Sequence, residues 1–301
     1  MSTVLIKNAT LVRDNLKEAD VFIKDGVITK IGRVDRGADT VVDGTGKHLF
    51  YGFFDMHAHL REPGFEGKET IASGVRAAVN GGFTDIACMP NTNPVNDNKV
   101  VTEYILNHAG KEGYAHVYPV GAITKGSLGT ELSEMAAMKA AGVVAVSDDG
   151  KPVSDGRVMR LALEYADSLG LKVLSHSEDK SLSGDGVANE GLNSDICGLK
   201  GITRAAEEAA VAREMILSET FSVPVHLCHV STRGAVELIR FFKKKGVRVT
   251  AETCPHYFAL NDDCIRTLDT FTKVNPPIRT EDDRTAIIEG IMDGTIDVIA
   301  T

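Results

Sequence analysis

No stretch of this 301-residue chain is apolar for long enough to span a membrane. Met1 to Asn15 mixes Lys7, Arg13 and Asp14 into a short apolar pattern and lacks the apolar core of a signal peptide. The five cysteines, Cys88, Cys197, Cys228, Cys254 and Cys264, are scattered without a Cys-x-x-Cys, as expected of reduced thiols in the cytoplasm. A basic stripe is also missing. Lysine and arginine number 33 against 42 acidic residues, a formal charge of −9, so nucleic acid is not an expected partner. Gly81-Gly82 lacks the spacing of a dinucleotide or phosphate loop. No low-complexity tract or short-period repeat is visible. What is present, 43% hydrophobic and 25% charged residues, is the composition of a soluble globular protein of one or two domains.

Residues 1–49 read as short strands. Asp25-Gly26 separates two apolar runs, a two-residue hairpin signal, and the segment predicts a small antiparallel β unit. From residue 50 the rhythm changes. Short apolar runs end near Asp55, Cys88, Val120, Ser147, His176, His229, Glu252 and Ala300. Amphipathic stretches lie between them: Val158, Leu161, Ala162 and Tyr165 follow helical spacing, as do Ala235, Leu238, Ile239 and Phe242. Lys243–Lys245 followed by Gly246 reads as an ordinary helix ending. Eight alternations predict an α/β fold, a (β/α)8 TIM-type barrel over residues 50–301. Ser181–Asn193, rich in Ser, Gly and Asp, reads as a disordered segment or an ordered loop.

Such a barrel carries its chemistry at the strand C-termini. His57-Ala-His59 ends the first run, and alternation along a strand puts both imidazoles on one face. His176 and His229 end two later runs. One strand-end histidine is more often a hydrogen-bonding residue than a ligand. Four on one rim reverse that weighting toward a metal site. Asp148-Asp149-Gly150 is an acidic turn, or it supplies one carboxylate bridging two metals; alternation predicts that the two aspartates do not both point inward. Arg61, just past the first strand, can clamp a carboxylate through two hydrogen bonds. Asn91 and Asn93 after the second strand, and Asn275 in Val274-Asn-Pro-Pro-Ile-Arg279, offer amide edges in proline-stiffened loops. His226 falls on another face from His229. His48, His108 and His116 are expected to face solvent, His256 is placed on the rim without a role, and Cys228 and Cys254 are expected to be buried as small apolar residues.

These residues resemble the bacterial type I dihydroorotases of the amidohydrolase superfamily. The pieces carrying the resemblance are Asp55–Gly64, Lys68-Glu-Thr, Gly81-Gly-Phe-Thr, Met89-Pro-Asn-Thr-Asn-Pro, Ser147-Asp-Asp-Gly, Asn189-Glu-Gly and Asn275-Pro-Pro. The resemblance implies a binuclear zinc barrel with a small β-sandwich to which residues 1–49 contribute. It implies His57 and His59 on one zinc, His176 and His229 on the other, and Asp149 bridging. It implies that Arg61, Asn93 and Asn275 bind the substrate, and that the reaction is reversible closure of N-carbamoyl-L-aspartate to L-dihydroorotate in pyrimidine synthesis. A homodimer is the family expectation.

The family carries its general acid, an aspartate, directly after Ile-Ala-Thr at the eighth strand. Here Ile299-Ala300-Thr301 is the last triplet, so that aspartate is expected immediately after Thr301, with the remaining strands of the small domain beyond it. Glu252-Thr-Cys-Pro-His-Tyr is also similar to allantoinases and hydantoinases. A third alternative is a non-catalytic homologue serving as a partner of aspartate carbamoyltransferase; such a protein is expected to lose histidines that this chain keeps.

Overall fold

The computed structural model of the chain describes residues 2–12 and 17–301. Arg13 and Asp14, part of the N-terminal pattern above, lie outside the described residues. The chain divides into two compact units, Met1–Phe53 and Phe54–Thr301. No helix among the described residues is long and apolar enough to cross a membrane.

The first unit is one five-stranded sheet of β1 (Thr3–Leu11), β2 (Lys17–Lys24), β3 (Val27–Gly32), β4 (Thr40–Asp43) and β5 (His48–Leu49), in the order β3-β2-β1-β4 with β5 also on β1. The Asp25-Gly26 turn forms the expected hairpin. Both residues have positive φ, 49° and 79°, the turn that matches strand twist. The sheet is not wholly antiparallel, however. β4 and β5 run parallel to β1, because Arg33–Asp39 carries the chain back across the sheet before β4 begins. Leu5, Phe22 and Val34 pack on that side, and Asp20 accepts the Asn8 and Val34 amides at 3.0 Å each. Val27, Ile28, Ile31 and Val41 remain exposed.

The second unit is an eight-stranded parallel sheet rolled into a nearly closed barrel. Its strands are β6 (Phe53–Ala58), β7 (Phe83–Cys88), β8 (His116–Gly121), β9 (Ala145–Val146) and β10 (Lys172–Ser175). A two-stranded ribbon, β11 (Ala188–Asn189) with β12 (Gly201–Ile202), precedes β13 (Val225–Leu227), β14 (Val249–Thr253) and β15 (Val298–Ile299). All eight expected runs are strands. Ser181–Asn193 is ordered: it holds the end of a short helix, β11 and the start of the helix Leu192–Cys197.

Helices pack outside the sheet. Met135, Met138, Met159, Leu163, Met215 and Ile239 lie between the two layers in the main core, each worth about 1.5–3 kcal/mol on burial. The predicted helix at 158–165 is present as Gly156–Ser168, but its buried stripe is Met159, Ala162, Leu163 and Ala166, while Leu161 and Tyr165 are exposed. The helix carries two apolar stripes side by side, and the one with two alanines allows closer approach to the sheet. The helix Arg233–Lys244 ends as expected: Lys243 pairs with Asp297 and Gly246 has φ 82°. A smaller set inside the barrel, including Met89, Val120, Leu174 and Cys228, leaves its C-terminal end to polar groups.

Candidate active site

His57, His59, Asp149, His176 and His229 converge where β6, β9, β10 and β13 end. Asp149 stands at the centre. Its Oδ1 lies 3.3 Å from His176 Nδ1, 3.4 Å from His229 Nε2 and 3.6 Å from His57 Nε2, and its Oδ2 lies 3.7 Å from His59 Nε2. The ligand atoms form two groups that share this carboxylate, His57–His59–Asp149 and Asp149–His176–His229. Asp148 turns the other way. It accepts the amides of Ile123 at 2.8 Å and Thr124 at 3.2 Å, and the Thr124 hydroxyl. As expected, the two do not both point inward, and Asp149 is the inward one; both lie past β9, with Asp149 in a turn, so the Thr124 loop rather than a strand period holds Asp148 away.

Three imidazoles are oriented from behind. His57 Nδ1 donates to Glu252 at 2.5 Å, His59 Nδ1 to Asn91 at 3.1 Å and His176 Nε2 to Glu178 at 2.8 Å. Each contact selects a tautomer whose free lone pair faces Asp149, the usual arrangement behind a metal-binding histidine. Glu252 also accepts from His226 Nε2 at 3.1 Å, and His226 Nδ1 lies 2.9 Å from the Thr250 hydroxyl. Glu178 also accepts from Lys180 at 2.6 Å and from Asn275 at 3.2 Å.

Burial opposes charge on all these groups, yet the contacts prevail for five of them. Burial works against Asp149, but its hydrogen bonds to His176, His229 and His57 hold its carboxyl well below the usual range. Burial likewise works against Glu252 and Glu178, and their imidazole partners hold both low. His57 and His176 are disfavoured as cations by burial and nevertheless pushed up, by Asp149 and the acids behind them. His59 falls to about 4, through burial and then the His57 and Arg61 charges, against the pull of Asp149. His229 is also lowered, by burial and then by His176. Four imidazoles around a shared carboxylate form a donor set that fits divalent cations.

Arg61 and His229 are two of seven described non-glycine residues with positive φ, at 61° and 40°. The Arg61 guanidinium has no hydrogen-bond or ion-pair partner among the described residues. Asn93 is exposed beside the loop that bears Arg61, its amide donating to Pro63 at 2.8 Å. Asn275 reaches the cluster only through Glu178.

His256 is half-buried, and burial and then the His229 charge lower its pKa. Cys228 and Cys254 are buried; burial pushes both thiols up, Cys254 to about 12, so they stay neutral. His48 and His116 are exposed as expected, but His108 is half-buried, stacked on Tyr104 at 3.9 Å. The sequence reading missed the parts played by Glu252 and Glu178. A carboxylate at or just past a barrel strand end was the available signal.

A family model described as dihydro-orotase-like matches residues 46–235. The dihydroorotase of Acetivibrio thermocellus is 54% identical over 283 residues, 94% of this chain and 66% of that protein. The dihydroorotase of Syntrophotalea carbinolica is 56% identical over 283 residues, 94% of this chain and 67% of that protein. The chain thus spans about two thirds of the length of these curated relatives. Among solved structures, an L-hydantoinase (dihydropyrimidinase) from Arthrobacter aurescens shares the fold with a TM-score of 0.87 at 22% identity, covering 100% of this chain and 69% of that one.

Proposed function

The chain belongs to the dihydroorotase-like family of cyclic-amide hydrolases, and from that premise we propose that it interconverts N-carbamoyl-L-aspartate and L-dihydroorotate. The observation that carries this reading is the Asp149-centred set of four histidines together with an Arg61 guanidinium that has no partner among the described residues. His57 and His59 would hold one zinc ion, His176 and His229 a second, and Asp149 both. When bound, such cations supply Lewis acidity toward a carbonyl oxygen and lower the pKa of water. In the opening direction water adds across the ring amide: the C–N bond breaks, the carbonyl carbon gains oxygen and the nitrogen gains a proton. Arg61 holds the substrate carboxylate through paired hydrogen bonds and fixes the ring relative to Asp149. Asn93 and Asn275 take ring amide groups. Glu252, Asn91 and Glu178 keep the imidazole lone pairs turned inward. The proton donor to nitrogen is assigned to none of the described residues.

The setting that goes with this reading is cytoplasmic pyrimidine synthesis by a homodimer, with association with aspartate carbamoyltransferase as a further expectation. The test is turnover of L-dihydroorotate by the full-length, metal-loaded protein; absence of turnover at intact zinc content overturns it. A hydantoinase- or allantoinase-type activity is the second reading, favoured by Glu252-Thr-Cys-Pro-His-Tyr. A substrate panel separates the two. Arg61→Ala should abolish selectivity for the acidic substrate and leave a neutral hydantoin nearly unaffected. Less than one zinc per chain, in protein purified without chelator, would instead favour a non-catalytic partner.

A further inference from the structure

We infer that Glu62 is a positioning residue that aims Arg61 and thereby sets the preference for an acidic substrate. The inference rests on the reading that Arg61 holds the substrate carboxylate. Arg61 sits in the left-handed region, at φ 61°, where a side chain with a Cβ stays only if its neighbours hold it. Those neighbours are fixed on both sides. The Glu62 amide donates to Leu60 at 2.7 Å and the Phe65 amide donates to Arg61 at 3.1 Å. Gly64 has φ 93°, and a Cβ there would lie 2.0 Å from the Asn93 carbonyl oxygen, so this loop and the Asn93 loop are in close backbone contact.

Glu62 fastens this loop to two helices. One carboxylate oxygen accepts the Ile71 amide at 2.8 Å, at the first turn of the helix Ile71–Asn80. The other accepts the Tyr104 hydroxyl at 3.1 Å, from the helix Lys99–Glu112. Both oxygens are therefore engaged away from the neighbouring guanidinium. The other acids of the segment are similarly occupied. Glu66 accepts the Gly64 amide at 2.7 Å, and Glu69 accepts the Thr70 amide at 3.1 Å and the Ser73 hydroxyl. Three carboxylates lie in the eight residues after Arg61, and none pairs with it. Glu62 thus has two effects: it fixes the strained backbone, and it leaves the cation available to an external carboxylate.

A double-mutant cycle on KM for L-dihydroorotate tests this in the full-length, metal-loaded protein. Arg61→Ala should raise KM about 10–100-fold, the scale of hydrogen bonds to a charged group. Glu62→Ala should raise KM about 10-fold with kcat and zinc content within about twofold of the parent. Combined with Arg61→Ala, it should add nothing. Tyr104→Phe removes a single hydroxyl and covers the case in which Glu62→Ala does not fold. It should raise KM a few-fold, again only when Arg61 is present. Effects that multiply in the double variant would make Glu62 merely structural and overturn the inference. So would an unchanged KM in Glu62→Ala or, where that variant does not fold, in Tyr104→Phe, while Arg61→Ala raises it. An unchanged KM in Arg61→Ala would instead overturn the underlying reading of Arg61, and the inference with it.

Discussion

The two sides of the histidine cluster use one device in opposite surroundings. On the barrel side, Glu252 is fully buried and both of its oxygens are taken by imidazoles, His57 and His226. On the loop side, Glu178 holds His176 but shares its oxygen with Lys180 and Asn275, which reach solvent. Water can replace a lost partner on the loop side. On the barrel side nothing can, so removal leaves a buried polar group unpaired. The same carboxylate–imidazole contact is therefore part of the frame in one place and adjustable in the other.

Asp149→Ala attacks the joint between the sides and should have the largest effect. Zinc per chain should fall from two toward zero by elemental analysis, with a loss of turnover beyond the ~10–100-fold typical of an outer contact. Retention of two tightly bound zinc ions would remove Asp149 from its shared role. Glu252→Gln separates the sides. Metal affinity by chelator competition should fall by about 100-fold for one ion only, and calorimetry should show Tm lowered by at least about 2–4 °C. Glu178→Gln should be the mildest, about 10-fold for the other ion, with Tm nearly unchanged. Equal effects of these two substitutions on Tm would abolish the contrast between a carboxylate held only by buried imidazoles and one that shares its oxygen with solvent-reaching partners.

Much of this was legible in the chain. The eight apolar runs and their polar ends are local patterns, and they located His57, His59, His176 and His229 on one rim. The expectation was that only one of Asp148 and Asp149 points inward, and the resemblance named Asp149; the Thr124 loop that captures Asp148 supplies the physical reason. Glu252 was out of reach because its partner His57 is 195 positions away in sequence. No local period encodes that contact, which arises only once β6 and β14 share a barrel. The slip on Gly156–Ser168 has a different origin. Two apolar stripes lay side by side, and packing against the sheet, not hydropathy, selected the one with small residues. In the first unit, apolar alternation marked strands without giving their direction, so parallel β4 and β5 went unread.

The bonds that Asp148 makes to Ile123 and Thr124 also bear on fidelity of assembly. β9 is two residues long, and only Ala145 and Val146 pair with β8 and β10. Such a strand has little ladder to resist sliding by one position, and a slide of one exchanges its inward and outward faces. A slide of one that brought Asp148 into the place of Asp149 would set Ser147 against the Thr124 loop. An acid follows an acid here, so composition alone would not penalise the wrong frame. The three donors waiting for Asp148 do, and the carboxylate that takes no part in the chemistry is the one that sets the reading frame of its neighbour.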